Sequence, residues 1–188
     1  MRHVLVILVA LCVSIAGAVT ASAENGAPPA TALAAAPPLG RTVLLGSRLR
    51  TAGCHRGVLP DRACSPGARY SGLTKTVLCS ASFHTSSVRN VPDSVKHRVE
   101  IEYGMVPKAY GRTIEIDHIV SLELGGSNDI ANLYPEPGSG TASYHVKDRL
   151  ENRLHRLVCA GTISLHAAQL GIAQNWLRLY KRVFGAPA

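Results

Sequence analysis

The sequence has no Cys-x-x-Cys pair, no internal repeat and no array of arginines and asparagines at spacings that read base edges. The first absence argues against a cysteine-held metal, because structural zinc sites draw thiolates from close pairs. The second argues against a solenoid or propeller of stacked units. The third leaves little means of reading a nucleotide sequence. Acidic residues are also few: twelve Asp and Glu stand against twenty Lys and Arg, for a net charge of +8 and a pI of about 9.6. Such an excess draws a protein to polyanions, which include nucleic acid, anionic envelope polymers and lipid.

One long apolar run is present, from Val4 to Val19, with Arg2 and His3 before it and Ala21-Ser22-Ala23 behind. It is short for a membrane span and has no basic stop-transfer flank, so it reads as an export signal over residues 1–23, with an uncleaved anchor as the alternative. The mature chain then starts at Glu24, and Cys12 is lost. Cys54, Cys64, Cys79 and Cys159 remain, an even set in an oxidising compartment. Two disulfides are expected. Of the three possible connectivities the reading leans to Cys54 with Cys64 and Cys79 with Cys159; metal ligation by these cysteines is the competing reading.

Residues 24–40 are rich in Ala and Pro, nearly uncharged and free of aromatics, and are expected to form a flexible tether. The rest, 41–188, has the length of one domain, with its core over about 64–184. Val43-Leu44-Leu45 suits a short strand, and Gly, Pro and Arg around Cys54 and Cys64 suggest a disulfide-pinned loop. The β-branched stretch Thr74–Cys79 is expected to be a strand. Asp93–Tyr103 is expected to be a helix stopped by Gly104, with Lys96, His97 and Arg98 on its outer surface. Thr113–Val120 follows as a strand. Ser143 and Ser164 then cap helices over Tyr144–Val158 and Leu165–Phe184, the second placing Trp176 on its apolar side.

The chain is organised around 115–133. Glu115 and Asp117 share one face of the expected strand and Ile114 and Ile116 the other. An Asp-His pair set between Ile116 and Ile119-Val120 is awkward for a core strand unless it is satisfied or functional. Gly125-Gly126-Ser127-Asn128 supplies a turn able to take positive φ, and the chain returns through Asn132-Leu133. An acid, a histidine and an amide can therefore meet at one pocket.

Asp117-His118-Ile119, the Gly125-Gly126 turn and Asn132-Leu133 resemble the first two thirds of an HNH endonuclease, the His-Asn-His nucleases with a ββα-metal fold. The similarity extends from Cys64-Ser65-Pro66-Gly67 to Trp176, through Lys147-Asp148, Leu150-Glu151-Asn152 and Val158-Cys159, to a subgroup of small secreted HNH-like proteins. It implies an α+β fold with a ββα-metal core, flanking helices and disulfide staples. It further implies Asp117 as a metal ligand, His118 as the general base that activates water, and Asn132 as the residue that pins the loop holding His118.

The remaining ligand should lie on the following helix. There Val146, Leu150, Leu154, Leu157 and Val158 form an apolar stripe, and His145, Asp148, Asn152 and His155 a polar line opposite. The family analogy favours Asn152 or His145. The cofactor is one divalent cation, Mg²⁺ by default for hard oxygen donors, with Mn²⁺, Ca²⁺ or Zn²⁺ as alternatives. Arg149, Arg153 and Arg156, on another flank, can meet phosphates, as surface charge or as backbone contacts. The expected function is a secreted, metal-dependent, largely sequence-nonspecific endonuclease acting on DNA, with RNA as a second substrate. The alternative is a non-catalytic basic module that binds nucleic acid or anionic cell-envelope polymers.

Overall fold

The computed structural model describes residues 36–188, with Arg112 and Pro187 excepted. The signal expected over 1–23 and most of the tether expected over 24–40 lie outside the described residues. In chain order the elements are β1 (Thr42–Leu44), β2 (Ala68–Tyr70), α1 (Lys75–Leu78), α2 (Asp93–Glu102), β3 (Ile114–His118), β4 (Leu133–Pro137), α3 (Tyr144–Cys159) and α4 (Leu165–Phe184). Among the described residues no helix is long and apolar enough to cross a membrane.

The fold is mixed α+β, with two antiparallel sheets of two strands each among the described residues. In β3 and β4 the register sets Asp117 opposite Tyr134 and His118 opposite Leu133. Pro135 and Pro137 are tolerated in β4 because each strand of a two-stranded sheet is an edge. The turn between the two strands depends on its glycines. Gly125 takes φ +78°, and a Cβ on Gly126 would stand 1.7 Å from the Val120 carbonyl oxygen, so no other residue fits there. Residues on β2 brace this turn from behind: Tyr70 N–H donates to Gly125 O, and Ser127 N–H donates to Ala68 O.

The main core gathers Ile119, Val120, Leu133 and Tyr134 with Leu150, Leu154 and Val158 of α3 and Ile172 and Trp176 of α4. Trp176 is buried and donates its indole N–H to Val58 O at 3.2 Å. Ser164 caps α4, its hydroxyl accepting from Ala167 N–H.

Three expectations need correction. Thr74–Cys79 is not a strand: Thr74 Oγ1 accepts from Val77 N–H and starts the one-turn α1, which buries Leu78. Local capping outweighs β-branched composition over so short a stretch. Lys96 and His97 do not simply face solvent, since the Lys96 ammonium lies 5.3 Å from the Tyr110 ring centroid and the His97 ring packs at 6.2 Å. The buried stripe of α3 is Lys147, Leu150, Glu151, Leu154 and Val158, whereas Val146 and Leu157 are only half-buried. The helix is thus rotated so that two charged residues enter the interior.

Cys54 bonds to Cys64 and Cys79 to Cys159, the connectivity toward which the sequence leans. The first closes a 10-residue separation, and the second ties α1 to the end of α3 across 80 residues. Chain-entropy arguments assign about 2.7 kcal/mol to a loop of the first size and about 4.5 kcal/mol to the second. Removal of Cys79–Cys159 by paired serine substitution should therefore lower the unfolding free energy more than removal of Cys54–Cys64. Denaturant titration of the two variants checks this; equal losses would contradict it.

Candidate functional site

Asn132 sits fully buried where the turn closes. Its Oδ1 accepts from Ala68 N–H and Val120 N–H, both at 3.0 Å, and its Nδ2 donates to Val120 O at 3.0 Å and Ser127 O at 2.8 Å. All four hydrogen-bonding capacities of the amide are used. The segment that follows His118 is thereby tied to β2 and to the far side of the turn.

His118 ends β3 and is 3 % exposed. Its Nε2 lies 3.1 Å from Asn128 Oδ1. Asn128 Nδ2 donates to Val88 O at 2.7 Å and lies 3.2 Å from Tyr70 Oη, so the amide is oriented with its oxygen toward the histidine. An amide oxygen only accepts, which assigns the proton to His118 Nε2 and leaves the lone pair on Nδ1, which has no hydrogen-bond partner among the described residues. Burial holds the imidazole below its ordinary 6.5, and the neighbouring Asp117 charge, acting the other way, does not overcome it. His118 is neutral at neutral pH.

Behind the histidine lies a buried ion cluster. Lys147 Nζ, 1 % exposed, donates to Asp117 Oδ2 at 2.6 Å and to His118 O at 2.8 Å. Glu151 Oε1 stands 2.7 Å from the same nitrogen and Glu136 Oε2 3.3 Å. Burial acts to neutralise the ammonium, but Asp117, Glu151 and Glu136 outweigh it and keep Lys147 protonated. Burial likewise works to raise Asp117, and the Lys147 charge holds it below the usual carboxylate value instead. Three N–H groups cannot serve four oxygens equally. Glu136, whose two carboxylate oxygens find no hydrogen-bond donor, is pushed up to about 8 by burial, and Glu151 also to about 8.

In front of His118 opens a cavity of about 290 Å³ lined by Arg89, Glu115, Asp117, His145, Asp148 and Glu151 among others. Glu115 and Asp148 are both raised, by burial first and then by the Asp117 charge. Four carboxyl groups and one guanidinium thus line the same cavity.

The structure brings Asp117, His118 and His145 to one cavity, with Asn132 behind it. Asn152 is not among the cavity's lining residues; it is exposed and turns its Nδ2 back to Asp148 O at 2.8 Å. The Arg149 guanidinium stacks 5.8 Å over the Tyr180 ring, and Arg156 and His155 line a different cavity. Arg153 is exposed and, like Arg149 and Arg156, does not line the His118 cavity. Sequence reasoning missed Arg89, Asn128, Lys147 and Glu151 as parts of the site. Lys147 and Glu151 did carry a signal, since they fall four apart beside Leu150 and Leu154 on the stripe that packs.

The oxygen-rich donor set and its excess of carboxyl groups suit a hard divalent cation. One of the two Asp117 oxygens, Oδ2, is already engaged by Lys147. Among the described residues, the three-donor group of His, Cys, Asp or Glu side chains with ligand atoms within 4.8 Å of one another is elsewhere, at Cys79, His155 and Cys159. This group is able to hold a metal ion once its sulfurs are not joined to each other. Comparison with protein-family models, with curated proteins and with solved structures finds no match.

Glu136 and Glu151 titrate near 8 when folded against 4.5 when unfolded, so the folded chain holds the extra protons between those values. Their contribution to stability is full below about pH 4.5 and is lost as pH rises toward about 8. Glu136→Gln should flatten the fall of Tm between about pH 5 and 8, and an unchanged slope would contradict the assignment. Lys147→Met, which leaves the carboxylates without their ammonium, should cost about 3–5 kcal/mol, with the larger loss at the higher pH in denaturant titrations.

Proposed function

We propose that this chain is a secreted, metal-dependent endonuclease of the HNH type, with a ββα-metal core made by β3, β4 and α3, that hydrolyses phosphodiester bonds of DNA, and RNA as a second substrate, with little sequence preference. One observation carries the reading. A neutral histidine with a free Nδ1 faces a cavity walled by carboxyl groups and one arginine, in a protein of net charge +8. The two disulfides are consistent with export.

In this reading His118 Nδ1 takes a proton from the attacking water, while its Nε2–H stays on Asn128 Oδ1 and keeps the ring from turning. The imidazolium that forms gains from the adjacent Asp117 charge. Arg89 meets the non-bridging oxygens of the phosphate and helps orient it for in-line attack. Asp117, with Asp148, Glu115 and His145, would hold the cation, which supplies positive charge against the phosphate oxygens as negative charge builds there. Lys147 acts one step back, holding Asp117 in place. Lys and Arg elsewhere on the surface draw the polyanion in without reading its bases.

A second reading is a non-catalytic basic module that keeps the fold and binds nucleic acid or envelope polymers. Its support is the pairing of Asp117 Oδ2 with Lys147, which leaves that carboxylate half committed before any cation arrives.

Plasmid nicking with and without EDTA separates the two. The nuclease reading predicts nicking in Mg²⁺ or Mn²⁺ that EDTA abolishes; binding without nicking across divalent metals would sink it. His118→Ala should lower the nicking rate by at least about 100-fold, the usual worth of a general base, while leaving DNA affinity nearly intact. Asp117→Ala should weaken calorimetric metal binding, with part of the rate restored by excess metal. His145→Ala and Asp148→Ala, compared in the same titration, identify the ligand that α3 supplies. Normal nicking by His118→Ala would end the mechanism.

A further inference from the structure

The Cys79–Cys159 disulfide has a histidine at its side that the His118 cavity does not use. Cys79 is the C-cap residue of α1. His155 and Cys159 lie four apart on α3, so their side chains share one face of the helix. His155 Nε2 is 3.5 Å from Cys159 Sγ and 3.1 Å from Leu78 O. The three donor atoms of Cys79, His155 and Cys159 all lie within 4.8 Å of one another, and each residue is only half-buried. They open on a cavity of about 540 Å³ that Glu123 and His84 also line.

We propose that this disulfide latches a metal site: when it is reduced, Cys79, Cys159 and His155 bind one thiophilic divalent cation of the Zn²⁺ type. A thiol reductant supplies two electrons and two protons; the S–S bond breaks, two cysteine thiols form, and the reductant's own two thiols become a disulfide. Binding then releases the two thiol protons to solvent. His155 carries its proton on Nδ1 instead of Nε2 and gives up Leu78 O, so that the Nε2 lone pair meets the cation.

Two sulfurs, each about 2.3 Å from a tetrahedral zinc, must move apart by about 1.7 Å from their bonded separation, which side-chain rotation supplies. Glu123, His84 or water completes the four donors. The chain has no Cys-x-x-Cys pair because the two cysteines are 80 residues apart and the fold brings them together.

Cobalt(II) is the probe, since its thiolate-to-metal charge-transfer band reports sulfur ligation and ignores cation binding by carboxylates. The protein is the full chain with Cys12, Cys54 and Cys64 replaced by serine, reduced with a phosphine that does not chelate metal. One equivalent of Co²⁺ should raise the band after reduction and none before it, and Zn²⁺ should erase the band by displacement. His155→Ala should weaken Co²⁺ binding at least tenfold. The wild-type full chain, reduced in the same way, guards against failure of the serine variant and should show a band that His155→Ala diminishes. Absence of the band in both proteins, a band of equal affinity in His155→Ala, or a reduced chain that stays unfolded with metal would each overturn the proposal.

Discussion

Lys147 Nζ is the point at which α3 is joined to the β3–β4 pair by charge as well as by packing. A lone ammonium taken out of water costs several kcal/mol, and it is tolerated only where oxygens replace its hydration. Here they come from three elements: Asp117 and the His118 carbonyl on β3, Glu136 on β4, and Glu151 one turn along α3. The cluster has one positive charge for three carboxyl groups, so the pair least well served, Glu136 and Glu151, retains protons into the neutral range. Asp117, the best served, does not.

That unequal division bears on His118. An ionised Asp117 beside the ring supplies charge that an imidazolium can use, and burial keeps the ring neutral beforehand. Geometry is supplied from the other side. Asn132 ties the backbone after His118 to β2, and Asn128, held by Tyr70 and Val88, fixes the ring itself. In the nuclease proposed above, a neutral, oriented histidine backed by a carboxylate would serve as the base for phosphodiester hydrolysis, and the net charge of +8 would draw in the polyanion.

Much of this was legible in the residues. Periodicity gave α2, α3 and α4 to within a residue or two, with the Ser164 cap realised at α4 and Ser143 standing at the start of α3 without a side-chain capping hydrogen bond, and the acid, histidine and double-glycine stretch marked β3 and its turn. What failed did so for identifiable reasons. Thr74–Cys79 has strand composition, yet a Thr74 cap and a disulfide to α3 decide its shape. Reading a helix as one apolar and one polar face sends every lysine to solvent; the spacing of Lys147 and Glu151 is visible in the sequence, but only the fold shows that Asp117 and Glu136 await Lys147 inside. Arg89 lines the cavity and Tyr70 holds Asn128 from positions tens of residues away in sequence, which no local pattern announces.

The proposed chemistry requires a His118 ring that is neutral and carries its single proton on Nε2. Histidine ¹⁵N NMR across a pH titration, assigned by comparison with His118→Ala, measures both properties at once. The account predicts that the His118 ring is uncharged at neutral pH, protonates only below the ordinary 6.5, and carries its single proton on Nε2. A ring that is charged at neutral pH, or that carries its proton on Nδ1, would contradict it.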